Sequence, residues 1–143
     1  MKKIITMSGL AAIIALSGSA QGLDAAKVPS AVRTAFAKKF PSVKATWGKE
    51  NSKEFEAEFK MNGKSASANF LTDGSWVETE IEINNAELPQ PAADALKTKY
   101  PGATVLKVYK IDNARGETTY EAEIKTGNKK KELILKADGT IIK

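Results

Sequence analysis

The chain has 143 residues, with 22 lysines and arginines against 17 acidic residues, and a formal net charge of +5. It contains no histidine and no cysteine, which excludes a Ser-His triad, a cysteine nucleophile, a disulfide framework and the common zinc and copper sites. An enzyme is therefore the least favoured class, and we predict no catalytic residues, no metal site and no cofactor.

The first predicted element is an export signal. The segment MKKIITMSGLAAIIALSGSAQG places two lysines before a mainly apolar run, 4–16, with small residues after it. That order is typical of a secretory signal peptide, and the apolar run is shorter than the about 20 residues that span a membrane. We predict a signal peptide over residues 1–20, cut after Ala20 or alternatively after Gly22. An uncleaved N-terminal anchor is the other interpretation.

The charge of the chain that remains after signal removal limits which classes of partner are expected. Removal of Lys2 and Lys3 lowers the net charge from +5 to +3, and such a mildly basic chain requires no acidic ligand. We predict no nucleic-acid partner, because the basic run at 128–131 falls on a hairpin turn, where lysines are usually solvated. No further segment is long enough to span a membrane. We expect an exported protein, in the periplasm rather than released.

Two helices are predicted, each followed by strands. In the segments 28–41 and 88–101 apolar residues recur every four positions, which indicates one apolar helix stripe. Pro41 and Pro101 end these helices, because the residue before proline disfavours helical angles. The stripe residues are Val28, Val32, Phe36 and Phe40 in the first helix and Leu88, Ala92, Leu96 and Tyr100 in the second.

Period-two segments follow each predicted helix. FEAEF at 55–59, WVETEIEI at 76–83 and YEAEI at 120–124 alternate apolar and acidic residues, as strands with one buried and one exposed face do. Two-residue turn signals separate the predicted strands. These residue pairs favour tight hairpin turns because Gly, Asn and Asp tolerate a positive φ. These pairs are Asn62-Gly63, Asp73-Gly74, Gly127-Asn128 and Asp138-Gly139.

The chain also repeats itself. FEAEF and YEAEI are matched 65 positions apart, as are LTDGSWV at 71–77 and KADGTII at 136–142, and the helices match at an offset of 60. Such internal similarity indicates a repeated unit. We therefore predict an α+β fold with two tandem helix-plus-four-strand antiparallel repeats, 21–83 and 84–143. They would form one continuous sheet with both helices on one face.

These segments carry a family resemblance. The helix that ends in aromatic-proline, the FEAEF- and YEAEI-type strands and DGSWVETEIEI resemble the PepSY-like domain of exported bacterial proteins, also called β-lactamase-inhibitor-like. The resemblance covers nearly all of the chain after the signal, as two tandem copies. It implies an exposed concave sheet face that, in the inhibitor relatives, grips a partner enzyme. No residue here matches the inhibitors' contact residues, so a β-lactamase target is not implied.

An acidic ladder is the candidate partner-binding surface. Trp76 shares the parity of Glu78 and Glu80, which predicts an exposed aromatic anchor on the same face. The alternatives for Trp76 are a bulge that turns it inward or a place at the sheet edge, whereas Trp47 is predicted to be core, with Tyr109 as its counterpart. The predicted partner-binding residues are Trp76, Glu78, Glu80, Glu56, Glu58, Glu121 and Glu123.

The same ladder has three other interpretations. It could be a solvated face whose charges pair with lysines 60, 64, 131 and 136. A calcium site is less favoured because no Asp-x-Asp-x-Asp-Gly loop is present. A carboxylate pair for glycoside hydrolysis is less favoured too, because nothing singles out one pair.

The sequence thus predicts an exported, non-enzymatic protein-binding module. It would inhibit or modulate an envelope enzyme through its exposed sheet face, with an envelope or secreted protein as partner and a monomer rather than an oligomer as its own state. The alternative is a binding module for a small ligand, a metal ion or a cell-envelope polymer.

Overall fold

The computed structural model describes residues 22–143, so the predicted signal peptide and the cut after Ala20 lie outside the described residues. Seven antiparallel strands form one sheet in which every strand pairs with its neighbour in sequence. No helix of the described part is long and apolar enough to cross a membrane. The elements are α1 (Ser30–Lys39), β1 (Thr46–Lys49), β2 (Glu54–Met61), β3 (Lys64–Leu71), β4 (Trp76–Ile83), α2 (Gln90–Lys99), β5 (Thr104–Asn113), β6 (Thr118–Thr126) and β7 (Lys129–Leu135), with short 3₁₀ turns at Ala25–Lys27 and Asn85–Glu87.

The predicted fold of two helix-plus-four-strand repeats is wrong. Four strands precede α2 but only three follow it, so the described chain forms one seven-stranded sheet. After Gly139 the chain makes a single isolated bridge between Ile141 and Leu135. Ile141 and Ile142 are adjacent apolar residues, so this segment lacks the alternation that a half-buried strand needs. The division into 21–83 and 84–143 stays a prediction.

Both helices end at an aromatic residue before a proline. The N–H of Phe40 donates to the carbonyl of Phe36 at 2.8 Å, and the N–H of Tyr100 donates to the carbonyl of Leu96 at 2.8 Å. Each of these aromatic residues then takes a φ of −127°, because a following proline disfavours the helical conformation. Each helix therefore stops after ten residues, and the chain turns back to the sheet.

An aromatic cluster joins α1 to the first strands. The Phe36 ring lies 5.4 Å from Trp47, 5.3 Å from Phe59 and 6.3 Å from Phe70, in edge-to-face arrangements. Such pairs stabilise by roughly 0.5–1.5 kcal/mol each beyond the burial of their area. The helix residues Val32 and Phe36 are buried against them, so α1 covers one face of β1–β4.

An aliphatic cluster does the same for α2. Ala92 and Leu96 of the helix pack with Val108, Ile124 and Leu133 from the last three strands, all of them at most 5% exposed. Strand register connects the two clusters on one side of the sheet, because Ile81 lies opposite Ala66, and Ile83 lies opposite Val108. Both helices therefore cover the same face, and no helix within residues 22–143 covers the other one.

Two glycine turns dock onto the helices. Gly74, with a φ of +90°, brings the β3–β4 turn against α1, and Gly139, with a φ of +91°, brings the turn after β7 against α2. A Cβ at Gly74 would lie 2.7 Å from the carbonyl oxygen of Ala31, and one at Gly139 would lie 2.6 Å from that of Pro91. Glycine is therefore required there both by backbone conformation and by close approach.

Gly74→Ala is expected to lower the free energy of unfolding by roughly 2–4 kcal/mol, because left-handed strain adds to a clash with the helix backbone. Gly63→Ala is the matched control, since Gly63 has a φ of +77° but no atom within 4 Å of its Cβ position. It should cost only about 1–2 kcal/mol. Urea unfolding measures both, and equal losses would contradict a role for the turn–helix contact.

Candidate functional site

The sheet face without helices carries the predicted glutamate ladder. We call it the open face, and it presents acidic residues from β2, β4 and β6 and mainly neutral residues from β3 and β5. Lys107 of β5 and Glu132 of the edge strand β7 also lie on this side, each opposite Glu123. Strand register places these side chains on one side. The acidic members are Glu56, Glu58, Glu78, Glu80, Glu82, Glu121 and Glu123, and the neutral members between them are Ser67, Asn69, Tyr109 and Ile111.

From β2 to β6, strands whose side chains on the open face are acidic alternate with strands whose side chains there are mainly neutral. Glu58 lies opposite Ser67, which lies opposite Glu80, and Glu80 in turn lies opposite Ile111. Neighbouring strands are spaced by about 4.8 Å, so acidic strands lie roughly 10 Å apart. Like charges placed directly opposite one another destabilise a sheet. The alternation keeps the glutamates of β2, β4 and β6 apart, whereas at the sheet edge Glu123 of β6 lies directly opposite Glu132 of β7.

The centre of the open face is buried although no helix covers it. Glu80 and Glu121 are each only 4% exposed, because they lie on inner strands with side chains on both sides. One carboxylate oxygen of each, Oε2, has no hydrogen-bond partner in the described chain, and the same holds for Oε1 of Glu56. Buried polar atoms are nearly always paired, so these three oxygens are unusual.

Burial shifts the protonation of this cluster. It raises the pKa of Glu80 to about 8, and repulsion from Glu121 adds to the shift. Burial likewise raises the pKa of Glu121 to about 7, with Glu132 as the next cause, and that of Glu56 to about 7, with Glu58 as the next cause. The open face therefore holds protons at neutral pH, because a buried carboxylate is costly when charged.

In the described residues a lysine forms an ion pair with only one of the glutamates of the open face. The described residues contain three ion pairs, and only the 3.4 Å contact between Lys130 and Glu123 lies on the open face. Lys60 instead donates to Ser65 at 2.8 Å, and Lys64 donates to Asn84 at 2.7 Å. The interpretation of the face as pairing with these lysines is therefore wrong.

Trp76 does not lie with the glutamates. A β-bulge between Asn69 and Phe70 shifts the register, so that Trp76 pairs with Phe70 of the helix-covered face. Its indole N–H donates to Thr79 at 2.9 Å, and the Lys39 ammonium lies 3.7 Å from its ring centroid. The face predicted for Trp76 from its parity with Glu78 and Glu80 is wrong, because one extra residue reverses the face. The register instead shows the alternative, a bulge that turns Trp76 inward.

Tyr109 is a member of the open face that the sequence did not reveal. It was predicted as the counterpart of Trp47, but Trp47 packs in the aromatic cluster whereas Tyr109 lies opposite Glu82 and Glu121. Tyr109 is 5% exposed, and burial, followed by the charge of Glu82, raises its pKa to about 12. Lysines occur on both faces of β5, so the alternation of polar and apolar residues did not indicate on which face Tyr109 lies.

A cavity of about 580 Å³ opens at one end of the open face. It brings together two of the predicted glutamates, Glu58 and Glu80, with Tyr109, and a loop that precedes β1 forms one side. The other predicted glutamates lie outside it. In the described residues no group of three or more potential ligands could hold a metal ion. The remaining lining residues are Ser42, Val43, Lys44, Thr46, Phe59, Lys60, Ser65, Ala66 and Ser67.

Known proteins share this fold. The family model described as "Putative beta-lactamase-inhibitor-like, PepSY-like" matches residues 53–143. A DUF2874 family protein from Bacteroides uniformis aligns with a TM-score of 0.73 at 22% identity, over 80% of this chain and 86% of its own. A BLIP-like protein from Bacteroides fragilis aligns with a TM-score of 0.66 at 22% identity, over 80% and 84%. At these identities the likeness concerns the fold alone.

A third structure shares the fold. A protein from Bacteroides eggerthii whose description is "putative periplasmic" aligns with a TM-score of 0.75 at 19% identity, over 81% of this chain and 86% of its own. No curated protein matches the sequence. The family model and these structures indicate no enzyme family.

Glu80→Gln is expected to stabilise the protein above neutral pH. The folded pKa of Glu80, about 8, lies above the ordinary 4.5, so between these values the folded state holds a proton that the unfolded chain has released. Stability therefore falls as pH rises from about 4.5 to about 8. The variant should lack that fall and gain on the order of a few kcal/mol at pH 9.

Thermal unfolding at pH 4.5, 7 and 9 measures this effect. Glu58→Gln removes an exposed carboxylate of the same face and should change stability far less. A melting temperature for Glu80→Gln that follows the wild-type pH profile would contradict the buried-acid assignment.

Proposed function

This chain belongs to the PepSY-like family, and from that premise we propose that it is an exported, non-enzymatic protein that binds another protein. The open face is the contact surface, and the bound protein is an envelope or secreted protein, which this chain inhibits or modulates. The periplasm is the proposed compartment. The absence of histidine and cysteine from the sequence supports a binding role over a catalytic one.

The observation that carries the proposal is the set of buried glutamates on a face that no helix covers. Glu80 and Glu121 are 4% exposed and keep unpaired carboxylate oxygens. A buried carboxyl group without a hydrogen-bond partner is destabilising, and more so when it is charged, so such groups serve poorly as structural elements. Hydrogen-bond donors from another protein would pair with them, and charge complementarity of this kind gives specificity to interfaces.

The proposed contact surface differs from the sequence prediction in one residue. It comprises the six predicted glutamates, but Trp76 is not part of it because its ring lies on the helix-covered face, under Lys39. Tyr109 takes its place as the large side chain beside the acidic groups. The six glutamates are Glu56, Glu58, Glu78, Glu80, Glu121 and Glu123.

Site-specific photo-crosslinking tests this proposal. With a benzophenone amino acid in place of Glu58 on the open face, we expect one discrete crosslinked product in envelope extract of the host. Asp94 of α2 is the matched control position, because it is also acidic and exposed but lies on the helix side. The control should give no such product, since the sheet separates α2 from the open face.

Binding by the purified pair completes the test. Glu58→Lys should weaken binding of the identified protein by about tenfold, because it reverses a charge at the contact, whereas Asp94→Lys makes the same net change outside it. Equal crosslinking from both positions, or equal effects of both charge reversals, would contradict the assignment of the open face.

A second candidate function follows from the cavity. Its volume of about 580 Å³ lies in the range of small-ligand pockets, and hydroxyl groups of Thr46, Ser65 and Tyr109 line it. Hydroxyls beside carboxylates suit a polar ligand such as a fragment of a cell-envelope polymer. This alternative requires no partner protein.

A thermal-shift screen separates the two candidates. If the cavity binds a cell-wall fragment, a glycan or calcium, the melting temperature should rise with ligand concentration, and Ser67→Ala, at the cavity, should reduce that rise. Ser75→Ala, in an exposed turn, is the control. An unchanged melting temperature at millimolar concentrations of all three would count against this alternative.

A further inference from the structure

The cavity of the open face places two glutamates on either side of a serine. Glu58, Ser67 and Glu80 are direct neighbours across β2, β3 and β4, and all three line the cavity of about 580 Å³. Glu58 is exposed and Glu80 is 4% exposed, so one carboxylate lies at the surface and one lies deep. We call this row of three residues the acidic row.

The deep carboxylate of the acidic row lacks a donor. Glu80 Oε2 has no hydrogen-bond partner in residues 22–143, and no lysine or arginine there lies within ion-pair distance of Glu58 or Glu80. The ammonium group of Lys60, which also lines the cavity, is bonded to Ser65 instead. The cavity is therefore lined by a buried carboxyl group that keeps one acceptor oxygen without a donor.

We propose that the cavity binds the cationic group of a basic side chain, an arginine or a lysine of the partner, over Ser67 and between Glu58 and Glu80. This inference rests on the proposed function, because it names the chemistry that the partner presents. Arginine fits best, since its planar guanidinium carries five donors and pairs with carboxylates through two parallel hydrogen bonds. Lysine would serve as a compact charge with three donors.

Other ligand classes fit the acidic row less well. In the described residues no set of three or more acidic side chains could hold a metal ion, and the cavity is far larger than one ion requires. An anion would meet the carboxylates of Glu58 and Glu80. Lys44 and Lys60 also line the cavity. Replacing Lys44 with a neutral residue therefore shows the sign of the ligand's charge, because it should strengthen the binding of a cation and weaken that of an anion.

The surrounding charges favour a cation. Acidic side chains outnumber lysines on the open face although the whole chain has a net charge of +5, and two glutamates and two lysines line the cavity itself. Other titratable and charged groups face the acidic row or lie on the same face. The acidic groups and the tyrosine are Glu50, Glu54, Glu56, Glu78, Glu82, Tyr109, Glu121, Glu123 and Glu132. The lysines are Lys44 in the adjoining loop, Lys60, Lys107, Lys125, Lys130, and Lys143 beside Glu121.

Protonation gives the site a characteristic pH dependence. Burial raises the pKa of Glu80 to about 8, so at neutral pH this carboxyl must release its proton when a cation binds. Affinity should therefore rise with pH between about 6 and 8, by at most about tenfold per pH unit for one released proton. An uncharged ligand would show no such rise.

The test is an NMR titration of the exported protein with acetyl-Gly-Arg-Gly-amide. The control probe replaces arginine with citrulline, which has the same shape but no charge. We expect the arginine probe to shift the Glu80 side-chain carboxyl and Ser67 amide signals, and to bind about tenfold more tightly than the citrulline probe. Equal affinities of the two probes would overturn the proposal.

Matched variants locate the site. Glu80→Gln should weaken the arginine probe by about tenfold and remove its pH dependence, whereas Glu132→Gln, at the edge of the same face, should change affinity by less than about twofold. Lys44→Gln should tighten binding by about twofold to threefold. Unchanged affinity in Glu80→Gln, or weaker binding in Lys44→Gln, would overturn the proposal, and so would calcium chloride that displaces the probe at micromolar concentration.

The failure of this inference and that of the proposed function are distinguishable. If Glu58 crosslinks a partner but the arginine probe does not bind, the partner uses the open face without a basic side chain in the cavity. If the probe binds as expected but no partner is crosslinked, the cation site exists and the protein-binding function fails. Circular dichroism of each variant confirms that losses do not reflect unfolding.

Discussion

One-sided packing of the sheet is the constraint on which the rest of this structure depends. Phe36 of α1 and Leu96 of α2 both pack on the same side of the seven strands. The apolar side chains of both helices pack on that side, so the second side of the strands is mainly polar, with Ile111 as an apolar member. The glycine turns at Gly74 and Gly139 hold the helices there, because their backbones approach the helices more closely than a Cβ would allow.

The open face then follows from strand order. Each strand pairs with its neighbours in sequence, so the acidic strands β2, β4 and β6 are separated by β3 and β5. Glu80 lies between the small Ser67 of β3 and the larger Ile111 of β5, and it is buried between these two neighbours. Burial among neutral neighbours, more than direct repulsion, raises the pKa of that carboxyl, since burial is the larger of the two causes.

Sequence patterns predicted the parts of this arrangement that depend on local periodicity. The alternation in FEAEF and YEAEI placed Glu56, Glu58, Glu121 and Glu123 on a face opposite the apolar core, as the register shows. The side of Trp76 could not be predicted, because a bulge is set by how two strands pair and leaves no period in one of them. The burial of Glu80 was equally hidden, since it depends on neighbours from β3 and β5 that are distant in sequence. The prediction of an eighth strand was wrong. The turn Asp138-Gly139 is similar to Asp73-Gly74, but the residues after it lack the alternation that follows the first turn.

Buried acidic groups on an open face link stability to binding. With Glu80 protonated, the free protein avoids a buried charge, but each loss of that proton destabilises the fold. A cation delivered by a partner would reverse this relation, because it stabilises the charged form and draws the proton off. Such a site binds a cation weakly at low pH and tightly at high pH. The bound cation therefore stabilises the protein most in the pH range where the unbound fold is least stable. Mutation of Glu80 would thus stabilise the isolated protein while weakening the complex, and that opposition is what distinguishes a binding carboxylate from a structural one.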